Sequence, residues 1–160
     1  MLADRVRMRS VKSGNLILYS YGNESDLWEV GLRSNVSSER KGVASKQSDH
    51  LLTEIISDYY SVSATFSTVN KIDITNIDTI TMLCEKSKNN YNTKLAIQND
   101  KTSTTTILDV VAPSNPYTPS TNTLILDVSS LVGEYYVTVG IIESSGYNNP
   151  RAKIYEVVLE

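Results

Sequence analysis

Few residues in this chain have the side chains that acid-base or nucleophilic catalysis needs. His50 is the only histidine and Cys84 the only cysteine. No nucleophile-elbow or cysteine-protease pattern surrounds a serine or the cysteine, and the 7 glycines form no phosphate-binding motif. Cys84 alternates with apolar residues in "TITMLCEKS", which predicts a buried thiol, and a lone cysteine excludes an internal disulfide. We therefore expect a protein that is not an enzyme, with His50 on a strand.

Carboxylates are plentiful, and they define the metal and hydrolase alternatives. Among the 18 acidic residues, Glu24 and Asp26 in "GNESD" could supply oxygen ligands to a calcium ion. A suitably spaced carboxylate pair could instead hydrolyse a glycoside. Solvated acids in turns explain the same residues without either function. No cofactor is required, and calcium is the metal hypothesis that stays open.

Three aromatic residues are candidates for contact with a ligand. Trp28 is the lone tryptophan, and in "SDLWEVGL" either Trp28 or its neighbour Leu27 must face outward from a strand. An outward Trp28 could stack on a sugar ring, whereas an inward one would pack in the core. Tyr117 and Tyr147 lie in the loop sequences "SNPYTPS" and "SGYNNP", where a tyrosine can be presented to a partner.

The N-terminal residues 1–14 form an arm with a basic pattern. In "DRVRMRS", Arg5, Arg7 and Arg9 occupy alternate positions and would share one face of a strand. Such a face could pair with an acidic neighbour or with another subunit during assembly. A solvated edge strand that resists aggregation explains the arginines equally well.

Charge and hydropathy exclude several kinds of partner. The formal net charge is -3 with 15 basic and 18 acidic residues, so the chain lacks the basic character of a nucleic-acid-binding protein. No segment has the apolar length of a transmembrane helix, and no signal-peptide core follows the N-terminal basic residues. We expect no nucleic-acid partner, no membrane insertion and no export by an ordinary signal peptide.

Composition and periodicity predict an all-β domain over residues 15–160. Ser, Thr and Asn make up 49 of the 160 residues, and "SVSATF" alternates so that Val62, Ala64 and Phe66 face inward while Ser63 and Thr65 face water. Stretches such as "SNVSSERKG", "NDKTS" and "APSNPYTPSTN" are expected to be loops. Period-two patterns predict strands at Leu16–Tyr19, Leu27–Arg33, His50–Ile56, Ser61–Phe66, Thr79–Glu85, Lys94–Gln98, Thr105–Val111, Leu124–Val128 paired with Tyr135–Ile142, and Lys153–Leu159.

Two segments share a pattern in which an apolar run ends at an Asp followed by Thr or Ser. They are "NKIDITN" and "NTLILDVSSLVGEYYVTVG". The Asp can accept a hydrogen bond from the backbone just beyond it and so end the strand. We expect this structural role for Asp127 and Ser129, with the second segment forming a hairpin.

Four stretches carry a family resemblance: "LILYSYGNES" with "LWEVG", "SATFSTVNKIDITNIDTITM", "TLILDVSSLVGEYYVTVGIIES" and "AKIYEVVLE". Their order resembles the jelly-roll, carbohydrate-binding-like domains in tail and baseplate proteins of phages and phage-like particles of Gram-positive bacteria. In that group the early segment often reads Asn-Glu-Cys, then Thr and Gly-Gly-Trp. Here Asn23, Glu24 and Trp28 are kept, Ser25 replaces the Cys, and the Gly-Gly pair is absent.

The resemblance implies an antiparallel β-sandwich of jelly-roll type, with about nine strands. It also implies a non-enzymatic virion protein of the tail or baseplate, made in the bacterial cytoplasm and oligomeric with copies of itself. Two functions remain open. One is assembly with other virion proteins; the other is lectin-like recognition of host cell-wall glycans, through Trp28 or the loop tyrosines.

Overall fold

The computed structural model describes residues 11–12, 15–56, 62–87, 92–113, 118–144 and 149–160, with only the backbone for 11–12 and 143–144. Strands dominate these ranges: β1 Val11–Lys12, β2 Asn15–Ser20, β3 Trp28–Arg33, β4 Asn35–Ser37, β5 Arg40–Lys46, β6 Leu51–Ile56, β7 Val62–Thr68, β8 Ile72–Asp73, β9 Thr79–Lys86, β10 Thr93–Gln98, β11 Leu108–Val111, β12 Ser120–Asp127, β13 Glu134–Ser144 and β14 Arg151–Leu159. The helix that these ranges contain is a single 3-10 turn, Ser25–Leu27. None of their helices is long and apolar enough to cross a membrane.

The strands form two antiparallel sheets. In the eight-stranded sheet, β14 pairs along one edge with β9, which in turn pairs with β12, and along the other edge with β6 and β2. β5 and β4 extend this sheet beyond β6, and β1 extends it beyond β2. The six-stranded sheet has the order β11-β10-β13-β7-β3, with β8 paired to the beginning of β13. The predicted antiparallel β-sandwich is confirmed, but the described ranges contain 14 strands and not about nine.

The core lies between the two sheets and is built from alternate residues of their strands. β9 shows the pattern most clearly, because Ile80, Met82 and Cys84 are buried while the residues between them are half-buried. Burial raises the pKa of the Cys84 thiol to about 12, as expected for the structural cysteine that the sequence predicts. The largest fully buried apolar side chains are Trp28, Tyr19, Phe66, Leu18, Leu51, Ile55, Ile74, Ile80, Met82, Leu95 and Ile97.

The predicted hairpin at "NTLILDVSSLVGEYYVTVG" is wrong. β12 pairs with β9 in the eight-stranded sheet, whereas β13 pairs with β7 and β10 in the six-stranded sheet. The chain therefore crosses from one sheet to the other between them. Both strands show the predicted alternation of apolar and polar residues, because each buries one face in the same core. This alternation is the same whether two strands pair within one sheet or face each other across the core.

The predicted role of the two aspartates is confirmed. Asp127 accepts hydrogen bonds from the Ser129 backbone N–H at 3.0 Å and from its hydroxyl at 2.6 Å. Asp73 accepts one from the Thr75 N–H at 3.0 Å. Thr75 Oγ1 also accepts a hydrogen bond from the Gly133 N–H at 3.0 Å, which joins the two segments. These turns end β8 and β12 and set the direction of the chain beyond them.

The segment "SNVSSERKG", expected to be a loop, instead contains β4 and the beginning of β5. Polar side chains suit β4 because all three of its residues are exposed at the edge of the sheet. Gly42 of β5 passes so close to β7 that an added Cβ would lie 2.0 Å from the Ser63 carbonyl oxygen. β5 therefore has a glycine at a buried position, where an apolar residue would have made its alternating strand pattern visible in the sequence.

Candidate functional site

Trp28 begins β3 and fixes this edge strand to the core. Its side chain is 1% exposed, and its indole N–H donates a hydrogen bond to the Leu18 carbonyl oxygen at 2.9 Å. The prediction that Trp28 contacts a ligand is therefore wrong, because the ring packs between the sheets. The residue after it, Glu29, points to the outer face of the six-stranded sheet, where it lies opposite Ser67 of β7.

The outer face of the six-stranded sheet has a floor of small polar side chains that are shielded from water. Ser63, Thr65 and Ser67 of β7 are at most 3% exposed, and Thr138 of β13 is 1% exposed. The prediction that Ser63 and Thr65 face water is wrong, although their alternation with the core residues is as expected. Thr65 Oγ1 instead accepts a hydrogen bond from the Leu32 N–H at 2.8 Å.

A loop between β10 and β11, residues 99–107, covers this floor; we call it the strap. Gln98, at the end of β10, holds it by donating hydrogen bonds to the carbonyl oxygens of Ser103 at 2.8 Å and Thr105 at 3.4 Å. Gln98 also accepts a hydrogen bond from the Thr138 hydroxyl at 2.8 Å. Within the strap, Thr102 donates hydrogen bonds to Asp100 through its N–H and its hydroxyl. The strap is therefore a defined element that crosses the sheet toward β3.

Lys101, the third residue of the strap, connects the strap to β3. Its ammonium group forms a hydrogen-bonded ion pair with Glu29, and this interaction raises the pKa of Lys101. The same ammonium lies 5.5 Å from the centre of the Tyr136 ring, and Lys71 lies 5.7 Å from that centre. Two cations, one carboxylate and one phenol thus form a polar cluster on the outer face.

A cavity of about 440 Å³ adjoins this cluster where the strap meets β3. It is lined by Val30, Gly31, Leu32, Arg33 and Thr102. We call it the β3 cavity. β3 departs from regular pairing with β7 between Val30 and Arg33, and this irregularity opens the space.

The β3 cavity offers several kinds of contact to a ligand. Arg33 is exposed and makes no ion pair with the described residues, so its guanidinium can donate hydrogen bonds to an incoming group. Val30 is 41% exposed and supplies an apolar surface. A hydroxyl-rich ligand with one apolar face, as a sugar has, matches donors and an apolar wall in the same cavity.

Glu24 and Asp26, among the other predicted site residues, do not line this cavity. Arg5, Arg7, Arg9, Tyr117 and Tyr147 lie outside the described residues, so their predicted roles stay predictions. Glu24 precedes the 3-10 turn before β3, and Asp26 lies within that turn. In the part of the chain that the structure describes, no group of three or more His, Cys, Asp or Glu side chains could hold a metal ion.

Sequence reasoning missed Arg33, Lys101 and Thr102. The sequence "NDKTS" was correctly expected to be a loop, but nothing in it shows that the loop folds back over the sheet. Gly31 carries a weak signal, since a glycine inside a strand often marks a close approach of another backbone. Here an added Cβ would lie 2.9 Å from the Lys101 carbonyl oxygen.

Comparison with solved structures shows what the fold is similar to. An arginine variant of the family 29 carbohydrate-binding module CBM29-2 matches 91% of this chain and 91% of its own length, with a TM-score of 0.55 and 8% identity. The low-affinity xylan-binding module CBM86 from Roseburia intestinalis matches 91% of this chain and 94% of its own length, with a TM-score of 0.56 and 10% identity.

A bacterial adhesin has the same architecture. The K2 cleaved adhesin domain of Lys-gingipain matches 93% of this chain and 99% of its own length, with a TM-score of 0.53 and 7% identity. No protein-family model and no curated protein matches the sequence. At such identities the likeness establishes the fold, a β-sandwich like those of carbohydrate-binding modules.

Proposed function

We propose that this protein is a non-enzymatic glycan-binding module and that the β3 cavity is its ligand site. The observation that carries the proposal is a cavity of about 440 Å³ on a sandwich like those of carbohydrate-binding modules, with Arg33 and Thr102 in its lining. Lectin-like recognition thereby gains support over assembly alone, since the fold likeness is to modules that bind sugars and to an adhesin domain.

The cavity favours a sugar with an acidic substituent over a neutral one. Arg33 lines the cavity, and Lys101 is adjacent in sequence to Thr102, another residue of its lining. Glu29 balances one of these positive charges through its ion pair with Lys101. A carboxylate or phosphate on the glycan would meet the remaining positive charge, and Arg33 could bind it through two parallel hydrogen bonds.

The virion role follows from the family resemblance and is proposed on that ground. A phage or phage-like tail carrying several copies of a weak glycan site would attach to a bacterial wall through avidity. The proposed homo-oligomer and virion partners fit this function. Localisation to the tail or baseplate rests on the resemblance.

Calorimetric titration with a panel of neutral and acidic oligosaccharides tests the proposal. Wild-type protein is compared with Arg33→Ala and with Lys46→Ala, which removes an equal charge from the exposed last residue of β5 in the other sheet. We expect saturable binding that Arg33→Ala weakens about tenfold, or about 1.4 kcal/mol, and that Lys46→Ala leaves unchanged. Equal affinity of all three proteins for every bound glycan would refute the assignment to the β3 cavity.

A further inference from the structure

A second aromatic cluster lies on the eight-stranded sheet. The rings of Tyr21 and Tyr155 stack with centroids 5.6 Å apart and 29° between their planes. The His50 ring lies 5.8 Å from Tyr155 and is tilted by 57°. The carboxylate of Asp49 is hydrogen-bonded to His50, and that of Glu85 is hydrogen-bonded to Tyr155. We call these five residues the tyrosine platform.

Tyr21 is held outward by a tight turn at the end of β2. Tyr21 has φ 44° and Gly22 has φ 92°, and the Asn23 N–H donates a hydrogen bond to the Ser20 carbonyl oxygen at 2.8 Å. Positive φ at both central residues defines a type I′ turn, which favours Asn, Asp or Gly at the position of Tyr21. The tyrosine is nevertheless 49% exposed. Neither the turn nor the core accounts for an aromatic residue here, which indicates a role for its ring.

The turn also brings a carboxylate and an imidazole to the platform. An added Cβ on Gly22 would lie 2.1 Å from the Ser48 carbonyl oxygen, so the turn packs directly on the loop between β5 and β6. In that loop Asp49 Oδ1 lies 2.6 Å from Nδ1 of His50, and the Asp49 side chain is 61% exposed. Asp49 is therefore oriented by the histidine and still able to accept hydrogen bonds from a ligand.

Tyr155 supports the platform from the middle of the sheet. The pairing of β14 with β9 shifts between Ile154 and Glu156, so Tyr155 occupies a bulge. The backbone also joins the two tyrosines, because the Tyr21 N–H donates a hydrogen bond to the Tyr155 carbonyl oxygen at 2.8 Å. The Tyr155 hydroxyl donates to Glu85 at 3.3 Å, and burial, followed by the nearby Glu85 charge, raises the pKa of the phenol. The hydroxyl stays protonated and fixed.

We propose that the tyrosine platform is a second saccharide site, which takes a neutral pyranose. The half-exposed Tyr21 ring can stack on the apolar face of a sugar, and Asp49 can accept hydrogen bonds from its hydroxyls. Asp49 and Glu85 disfavour an acidic sugar; Lys153, opposite Glu85 in the register of β14 and β9, offsets part of their charge. This inference rests on the proposed glycan-binding function and extends it to a module with one site on each sheet.

The test uses nuclear magnetic resonance titration of the wild type and of an Arg33→Ala variant, in which binding at the β3 cavity is weakened. The probes are cellohexaose, mannohexaose and chitohexaose in its N-acetylated form, each added to millimolar concentration. We expect at least one probe to shift the ring resonances of Tyr21 and Tyr155 saturably. Replacing Tyr21 with Ala should weaken that binding about tenfold, whereas Tyr21→Phe should retain it because the ring remains.

The outcomes separate the two sites. Wild-type protein that shifts at Val30–Arg33 but never at Tyr21 or Tyr155 would overturn the platform and leave the β3 cavity as the ligand site. Shifts at the platform alone would support this inference, and they would leave the β3 cavity to acidic glycans, because these probes are neutral. Unchanged affinity in a folded Tyr21→Ala variant would also overturn the platform, since stacking on that ring is its central contact.

Discussion

The outer faces of the two sheets differ in what lies over them. On the six-stranded sheet the strap covers Thr65, Ser67 and Thr138, which are at most 1% exposed although they point away from the core. On the eight-stranded sheet, Ile125 is 60% exposed, and Tyr21, in the turn after β2, is 49% exposed. One face therefore presents a cavity between a strand and a loop, and the other presents aromatic rings on an uncovered sheet.

On the proposed assignments, the two faces would recognise their ligands differently. The β3 cavity offers the guanidinium of Arg33, so charge and hydrogen bonding would dominate there. The tyrosine platform offers stacked rings with carboxylates at their edge, so apolar stacking would dominate. Salt should accordingly weaken binding at the cavity more than binding at the platform.

The largest effect is expected from a substitution in the core, because both faces depend on it. We expect Trp28→Ala to lower the free energy of unfolding by about 3–5 kcal/mol, because it empties a buried aromatic site and leaves the Leu18 carbonyl oxygen without its donor. Urea denaturation followed by circular dichroism measures the loss. Alkylation of Cys84, buried and with a pKa raised to about 12, should report the same transition.

Trp28→Phe is the matched control for that experiment. It keeps an aromatic ring and removes the hydrogen bond, so the loss should be smaller, about 1–3 kcal/mol. If Trp28→Ala changed the free energy of unfolding by less than about 1 kcal/mol, β3 would not be anchored as described.

A substitution at Gly31 should affect the cavity and spare the platform. A Cβ there would lie 2.7 Å from Thr65 Oγ1 and 2.9 Å from the Lys101 carbonyl oxygen, so the strap must move. Gly31→Ala should weaken binding at the β3 cavity at least about tenfold, or about 1.4 kcal/mol, in calorimetric titration. Unaltered binding at the cavity, in a folded variant, would show that the strap does not shape the site.

A substitution at Gly22 should have the converse and somewhat smaller effect. Gly22 has φ 92°, and a Cβ would meet the Ser48 carbonyl oxygen, so Gly22→Ala should displace the loop that carries Asp49 and His50. We expect about fivefold weaker binding of a neutral oligosaccharide at the platform, or about 1 kcal/mol, with the cavity unaffected. Loss at both sites, measured by resonance shifts, would show that they are not independent.

The smallest effect is expected at Asp127, whose exposed turn connects the two sheets and contributes no residue to either site. Hydrogen bonds from Ser129 lower the pKa of this carboxyl below 3.8. A lowered pKa stabilises the fold above pH 3.8, and this stabilisation disappears as the pH falls through the folded-state value. Asp127→Ala should therefore be less stable than wild type at neutral pH, with a difference that shrinks below pH 3.8 in denaturant titrations. A difference that grew in acid would contradict this account.

Much of the sandwich could be predicted, because the alternation of apolar and polar residues along a strand reflects which side chains are buried. The strands β2, β6, β9, β10 and β14 agree with the predicted patterns, and Asp73 and Asp127 cap the turns that their spacing indicated. Alternation failed where a second layer covered an outer face, as at Ser63 and Thr65. It also failed to show that β12 and β13 lie in different sheets.

The candidate sites could not be predicted because they depend on contacts between distant parts of the chain. Lys101 and its partner Glu29 are 72 positions apart in the sequence, and Tyr155 and its hydrogen-bond partner Glu85 are 70 positions apart. Trp28, chosen from the sequence as the one tryptophan, could equally have faced inward, and its hydrogen bond to Leu18 shows that it does. The sequence does carry a local signal at Tyr21, because "SYGN" is a turn sequence that places a tyrosine at a tight turn.

The most direct test of glycan recognition is binding of the purified protein to isolated Gram-positive cell walls, with soluble oligosaccharides as competitors. The wild type is compared with a double variant, Arg33→Ala with Tyr21→Ala, and folding of both is checked by circular dichroism. The account predicts saturable binding of the wild type that a soluble oligosaccharide competes away and that the folded double variant lacks. Absence of saturable binding to walls and oligosaccharides, even when the folded wild type is displayed in many copies, would contradict it and favour a role in assembly.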